Sequence, residues 1–212
     1  PLSHVFERMG GHFSAFSKGC SIYYSEGIEK VADNMGEVRP TLMLSVPRLY
    51  EKMYTGVLEK VKDGTPLKQK IFWWGVSVGK KVSEYQLLNK KIPFLLSLKN
   101  KFAQKKVFNK IHQRIGGRLR FFISGGAPLS QEIAEFFSAA GIQIMEGYGL
   151  TETSPVLTSN IPGNVKFGTV GKPLDNVEIK IADDGEILAK GPNIMIGYYN
   201  QEDETKEVLS SD

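Results

Sequence analysis

The stretch at 118–146, RLRFFIS-GGAPLS-QEIAEFFSAAG-IQIME, constrains the fold more than any other part of the chain. RLRFFIS (118–124) reads as a buried strand, and IQIME (142–146) as a strand. Between them, GGAPLS forms a loop and 131–140 a helix, with Ser130 placed to cap it and Gly141 to close it. Strand, helix, strand in this order is a βαβ unit, normally parallel and right-handed. TLMLSV at 41–46, with β-branched ends and flanking prolines, adds a further buried parallel strand. The fold class is therefore α/β, with βαβ layers of parallel sheet.

The remaining segments hang on that frame. A helix is expected over 3–18, capped by Ser3, then a short strand CSIYY at 20–24. SEGIEKVADNMGEV reads as a helix started by Ser25, and Pro47 opens another that continues over 48–62. From Pro66 to Ile115 the signal is almost wholly helical, broken at Ile92-Pro93 and stopped by Gly116-Gly117, so 66–115 is a long helical insertion. After Pro155 the pattern alternates, and Asp183-Asp184-Gly185 makes a hairpin turn. Antiparallel β is expected over 166–198, as part of a distorted barrel. Two parts result: 1–160 as the α/β part and 161–212 as a barrel-like part.

EGYGLTETSP at 146–155 follows the strand 142–146, at the carboxyl edge where open α/β sheets bind ligands. SGGAP, at the end of the upstream strand, brings a second glycine loop to the same edge. Gly125, Gly126, Gly147 and Gly149 let backbone approach a ligand closely. Tyr148 offers a flat face to a base ring. Thr151 offers a hydroxyl to a phosphate, and Glu152 an oxygen ligand to Mg²⁺, the usual companion of phosphates. Against this stands a plainer reading, in which Gly-Tyr-Gly is a tight turn and Thr-Glu begins a helix.

Charge is distributed unevenly. Lys60 to Arg120 holds sixteen Lys and Arg against two acids, whereas the rest of the chain is acidic. Within that half, 90–114 interleaves lysines with Ile, Phe, Leu and Val. It reads either as a helical hairpin with solvated lysines or as a surface for anionic membrane headgroups. Nucleic acid is not an expected partner, because no recognition motif supports it. One cysteine, Cys20, excludes an intramolecular disulfide, and no apolar run reaches the ~20 residues of a spanning helix. With no secretory signal visible, a cytoplasmic protein is expected, peripheral to a membrane if 90–114 binds one.

GYGLTETSP resembles the signature of the adenylate-forming enzymes, the superfamily of acyl-CoA synthetases, luciferases and peptide-synthetase adenylation domains. The resemblance runs through SGGAPLSQEIAEFF, VGKPLDNVEIKI and GEILAKGPNIMIGYYNQEDETKEVL. PLSHVFER, SVPRLYEKMY and the insertion at 66–115 are similar to the long-chain fatty acid-CoA ligases in particular. It implies ATP-dependent conversion of a long-chain fatty acid to acyl-AMP, then to acyl-CoA with coenzyme A as co-substrate and Mg²⁺ as metal.

Carried over by position, the resemblance implies that Gly125, Gly126, Ala127 and Pro128 line the adenine and acyl-carboxylate pocket. Glu146, Gly147 and Tyr148 bracket the adenine, with Gly149 in the same glycine stretch. Thr151 bonds phosphate, Glu152 binds Mg²⁺, and these two are the catalytic candidates. His4 matches a position near the acyl side, although a histidine at a helix start also serves as a cap. The family's phosphate loop ending in Pro-Lys-Gly is not found, nor is a GWxxTGD segment, for which Asp212 should not be mistaken. The domain with the catalytic lysine is absent too. With a start at Pro1 and an end at Asp212, the chain is expected to be the central piece of a longer enzyme, inactive alone. Activation of a different carboxylic acid, or non-catalytic nucleotide or lipid binding, remain the alternatives.

Overall fold

A computed structural model describes residues 2–210; Pro1, Ser211 and Asp212, including the Asp212 comparison above, lie outside the described residues. Five strands form the main sheet in the order β1 (Leu42–Ser45), β2 (Phe121–Ser124), β3 (Gln143–Gly149), β4 (Val156–Ser159) and β5 (Lys172–Pro173). β1, β2 and β3 are parallel, whereas β3–β4 and β4–β5 are antiparallel. β6 (Glu178–Ile181) and β7 (Ile187–Lys190) make a separate antiparallel hairpin, with Asp183-Asp184-Gly185 in its turn. The fold is thus mixed α/β with an antiparallel continuation.

Helix α1 spans 5–17, with Glu7–Phe13 in π geometry. α2 (Val31–Val38) precedes β1, and α3 (Pro47–Lys62) follows it. α4 (Pro66–Leu87) and α5 (Phe94–Ala103) flank the break at Ile92-Pro93; α5 runs through a π segment, Gln104–Phe108, into α6 (Asn109–Arg114). α7 (Gln131–Ala139) joins β2 to β3, and α8 (Glu202–Val208) lies near the end.

The core forms where α3, α4 and α7 meet the sheet. Tyr50, Phe122, Phe136 and Phe137 are fully buried, and edge-to-face ring contacts link them. Burying each such ring is worth roughly 1.5–3 kcal/mol. The Tyr50 hydroxyl donates to the Ile123 carbonyl at 3.0 Å, so its polar end is not stranded. Close approach of α4 to α7 depends on Gly79, where a Cβ would overlap the backbone of Ala139.

Several local expectations fail for identifiable reasons. Residues 20–24 form no strand: Tyr23 and Tyr24 are exposed, and the Tyr24 hydroxyl contacts His12 Nδ1 at 2.6 Å instead of joining a ladder. Ser25 starts no helix; its hydroxyl bonds Gly27 and Asn34, and the helix begins at Val31. Ser130 precedes α7, but its side chain makes no capping bond, and its carbonyl alone accepts from Ile133 and Ala134. Ser3 is replaced as a cap by His4, whose Nδ1 accepts the Phe6 N–H at 3.2 Å. β3 does not end at Glu146 but runs on to Gly149, because β4 supplies an antiparallel partner. Between 166 and 198, antiparallel pairing is confined to the two residues of β5, the β6–β7 hairpin and an isolated bridge from Tyr198 to Gln201.

Candidate active site

The carboxyl ends of the parallel strands carry a polar row. Ser45 pairs in register with Ser124, and Ser124 with Glu146. Residues in register share one sheet face. Ser124 Oγ is buried without a hydrogen-bond partner, as is Thr158 Oγ1, opposite Tyr148 on β4. Buried orphan hydroxyls are costly in a finished core.

Glu146 is itself buried. One oxygen accepts the Leu129 N–H at 3.4 Å, tying the Gly125–Pro128 loop to β3. Burial pushes its carboxyl above the ordinary value of 4.5, and the Leu129 N–H only partly offsets that. For a raised acid, the stabilising contribution is present below 4.5 and is lost as pH rises through the folded-state value. Glu146→Gln removes this loss and keeps an acceptor for Leu129. The variant should therefore gain stability over the native chain as pH increases from about 4 to 8 in urea titrations. Parallel pH profiles would count against this account.

The glycines divide by physical role. Gly126 has φ +83°, and a Cβ there would make only an ordinary 3.8 Å contact with Val46 Cγ1, so its backbone conformation is what requires glycine. Gly125 is needed because a Cβ would lie 3.0 Å from the Phe6 ring. A Cβ on Gly147 would come 3.2 Å from the Thr158 carbonyl oxygen, and one on Gly149 would overlap the Pro155 carbonyl. Three of the four thus serve close packing within the chain. Gly126, Ala127 and Pro128 are exposed at the sheet edge, and Tyr148 is half-buried. His4 is exposed, two residues from the Phe6 ring that packs at Gly125, so the start of α1 and the SGGAP loop are neighbours.

Beyond β3, Thr151–Thr153 forms one 3₁₀ turn, followed by Ser154 in left-handed geometry at φ 55°. Thr153 is buried; its hydroxyl accepts from Leu150 N–H at 2.9 Å and donates to the Pro155 carbonyl at 2.6 Å. Thr151 is exposed, and Glu152 is half-buried. Residues 193–198 latch onto this turn. Asn193 Nδ2 donates to the carbonyls of Thr153 (2.8 Å) and Val156 (3.1 Å), and Met195 N–H to that of Glu152 (2.8 Å). The Tyr198 hydroxyl donates to Glu152 Oε1 at 2.9 Å, and that bond raises the Tyr198 pKa. Glu152 Oε2 is left for another partner.

No group of three or more His, Cys, Asp or Glu able to hold a metal exists among the described residues. Glu152 with the neighbouring Thr151 is too small a donor set for a resident metal. It does fit Mg²⁺ that keeps most of its shell on phosphate and water. The site as a whole combines an open glycine loop, a half-buried aromatic residue and one anchored carboxylate.

A family model described as AMP-binding enzyme matches residues 1–199. The chain belongs to the AMP-binding enzyme family. Among curated relatives, peroxisomal long chain acyl-CoA synthetase 6 of Arabidopsis thaliana is 35% identical, covering 100% of this chain and 31% of the relative. Long-chain-fatty-acid–CoA ligase 6 of Rattus norvegicus is 34% identical, with 100% and 31% covered. The chain therefore spans about a third of the length of the curated relatives it matches. Among solved structures, O-succinylbenzoate coenzyme A synthetase of Bacillus subtilis, in complex with ATP and magnesium ion, superposes with a TM-score of 0.59. That match has 19% identity and covers 100% of this chain and 35% of the other. At that identity the likeness concerns the fold.

In this member of the family, sequence reasoning missed Ser124, Asn193 and Tyr198. The serine of SGGAP was legible as a polar residue closing an apolar strand. Nothing local distinguished Asn193 or Tyr198, which act on residues 40 and 46 positions away.

Proposed function

We propose that the chain is the central part of an enzyme that activates a long-chain fatty acid with ATP and transfers the acyl group to coenzyme A. The observation that carries this reading is similarity across the whole chain to long-chain acyl-CoA synthetases. The anchored Thr151-Glu152 turn at the carboxyl edge of the sheet supports it. In this reading, 1–160 supplies the α/β floor, with 66–115 inserted, and 161–212 supplies a barrel-like cover. The phosphate loop and catalytic lysine come from chain outside these residues.

The fatty carboxylate is a poor acyl donor until AMP becomes its leaving group. Its oxygen attacks the α-phosphate of ATP, pyrophosphate departs, and the thiol of coenzyme A then displaces AMP. The chain's contribution is positioning and charge neutralisation. Gly125, Gly126, Ala127 and Pro128 border the adenine and the acyl carboxylate, with His4 on the acyl side. Glu146, Gly147, Tyr148 and Gly149 flank the adenine, and Tyr148 offers its ring face. Thr151 donates its hydroxyl to a phosphate oxygen. Glu152, oriented by Tyr198, would hold Mg²⁺, which when bound neutralises phosphate charge.

The test is pyrophosphate release and thioester formation by a protein of the relatives' full length. Acetate, octanoate, palmitate, benzoate and amino acids should be offered in turn. Palmitate should be preferred; activity confined to amino or aryl acids would remove the fatty-acid reading. The 212-residue chain alone should form no measurable acyl-AMP.

A cytoplasmic enzyme in contact with anionic membrane through 90–114 is also part of the proposal. Among the described residues no helix is long and apolar enough to cross a membrane. On α5, however, Phe94, Leu95, Leu98 and Phe102 are 75%, 70%, 46% and 54% exposed, with only Leu96 packed on the core. Lys99, Lys101, Lys105 and Lys106 stand exposed among them. Each charge adds up to ~1 kcal/mol near an anionic surface. Co-sedimentation should rise with anionic lipid and fall when the four lysines are neutralised together. Equal binding to neutral vesicles would refute the contact.

A further inference from the structure

A cavity of about 920 Å³ opens between α2, α3, α4 and the π segment leading into α6. It shares no lining residue with the glycine loops or the Thr151–Pro155 turn. Its volume falls within the ~300–1,000 Å³ of small-molecule pockets. Its walls are apolar: Met35, Phe72 and Ile111 are buried there, and Met53, Val57 and Val107 are partly buried beside them. The charged lining is predominantly cationic. Lys52, Lys60, Lys68, Lys106, Lys110 and Arg114 contribute cations, and the only carboxylate, Glu29, is paired with Lys52 at 2.6 Å. Among the described residues the other five make no ion pair.

An occupant must match both features. The walls call for a long apolar body, and the methionines let the pocket adapt to a flexible one. The cations call for an anionic head that stays at the solvent edge, where lysine stems lie along apolar surface and their ammonium groups remain wet. A nucleic acid lacks the apolar body. We propose that this cavity is a second site, separate from the glycine loops, that binds a single-chain acyl anion: a long-chain carboxylate or its coenzyme A thioester. Phe102, which lines the cavity, also belongs to the exposed apolar face of α5, so the two features adjoin. The proposal does not depend on the catalytic reading above.

Gly56 provides the clean test. It sits on α3, lines the cavity, and nothing lies within 4 Å of where its Cβ would stand. Gly56→Leu therefore fills the cavity without a backbone clash, and replacing a helical glycine favours α3. Palmitate, palmitoyl-CoA and hexadecyltrimethylammonium should be titrated below their micellar concentrations into the 212-residue chain and into a protein of the relatives' full length. One-to-one binding of the two anions is expected in the 212-residue chain, with a second equivalent in the longer protein, and their relative affinities identify the source. Gly56→Leu should weaken binding about tenfold or more, the discrimination a crowded apolar pocket provides. Lys106→Glu with Lys110→Glu should also weaken it by about tenfold, through lost charge complementarity.

A diazirine-bearing palmitate should label peptides from 53–61 and 102–111. Label confined to residues 4–8, 125–129 or 146–152 in either protein would overturn the second site while supporting the catalytic reading. Equal binding of the cationic amphiphile, or unchanged binding by Gly56→Leu, would overturn it as well. So would concentration-dependent dimerisation that Gly56→Leu abolishes, since a second copy would then be the occupant.

Discussion

Glu152→Gln, introduced into a protein of the relatives' full length, should slow adenylation by about a hundredfold or more while leaving its thermal midpoint unchanged. Removing one charged ligand from a phosphate-bridging metal costs several kcal/mol of transition-state stabilisation, and each ~1.4 kcal/mol is a factor of ten. The geometry keeps the substitution clean. Glutamine retains an oxygen to accept the Tyr198 hydroxyl, and the Met195 bond is to the backbone carbonyl of Glu152. The latch therefore survives and only the charge is lost. The variant's apparent Mg²⁺ requirement should rise along with the fall in rate. Tyr198→Phe should have a smaller effect, because the carboxylate stays charged and loses only one orienting bond. An unchanged rate and Mg²⁺ dependence in Glu152→Gln would reduce Glu152 to the first turn of a short helix.

How far this site could be read from sequence depends on the range of the interactions that build it. The βαβ unit was legible because Phe121-Phe122-Ile123 is an apolar run, IQIM is apolar apart from Gln143, and a helix closed by Gly141 lies between them. The helical insertion was legible because Pro93 and Gly116-Gly117 punctuate it locally. Capping was not. Ser3, Ser25 and Ser130 all have the right chemistry, but a cap requires the hydroxyl to face free N–H groups, and that depends on how the preceding chain enters the helix. CSIYY has strand propensity, yet a strand exists only with a partner, and Tyr24 finds His12 instead. The converse holds at Gly147-Tyr148-Gly149, which has poor propensity but becomes strand because β4 pairs with it. The chemistry-bearing types at the site, Thr151 and Glu152, stand out locally. Their orientation does not, because Asn193 and Tyr198 impose it from a distant part of the chain.

Gly149→Ala should destabilise the chain by at least ~2–3 kcal/mol, near the upper end for overpacking. The new Cβ would overlap the Pro155 carbonyl oxygen and lie 2.6 Å from its carbon and 3.0 Å from Val156 Cα. All three are backbone atoms, so no rotamer change relieves the contact. The register between β3 and β4 already shifts at Tyr148/Gly149, and further displacement must move β4 or the turn between the strands. That turn carries Thr151 and Glu152, and Thr153 holds it through Leu150 and Pro155. Pushing Pro155 away thus strains the same bonds that aim the carboxylate. Gly126→Ala makes the informative comparison. Its Cβ would make only an ordinary 3.8 Å contact with Val46 Cγ1, and its cost should be only the ~1–2 kcal/mol of holding an L-residue in left-handed geometry at φ +83°. Urea midpoints should accordingly rank Gly149→Ala well below Gly126→Ala, with the Tyr198–Glu152 bond disturbed only in the former. Equal midpoints would mean that the β3–β4 junction yields, and that Gly149 is needed for the approach of a ligand instead of the approach of Pro155.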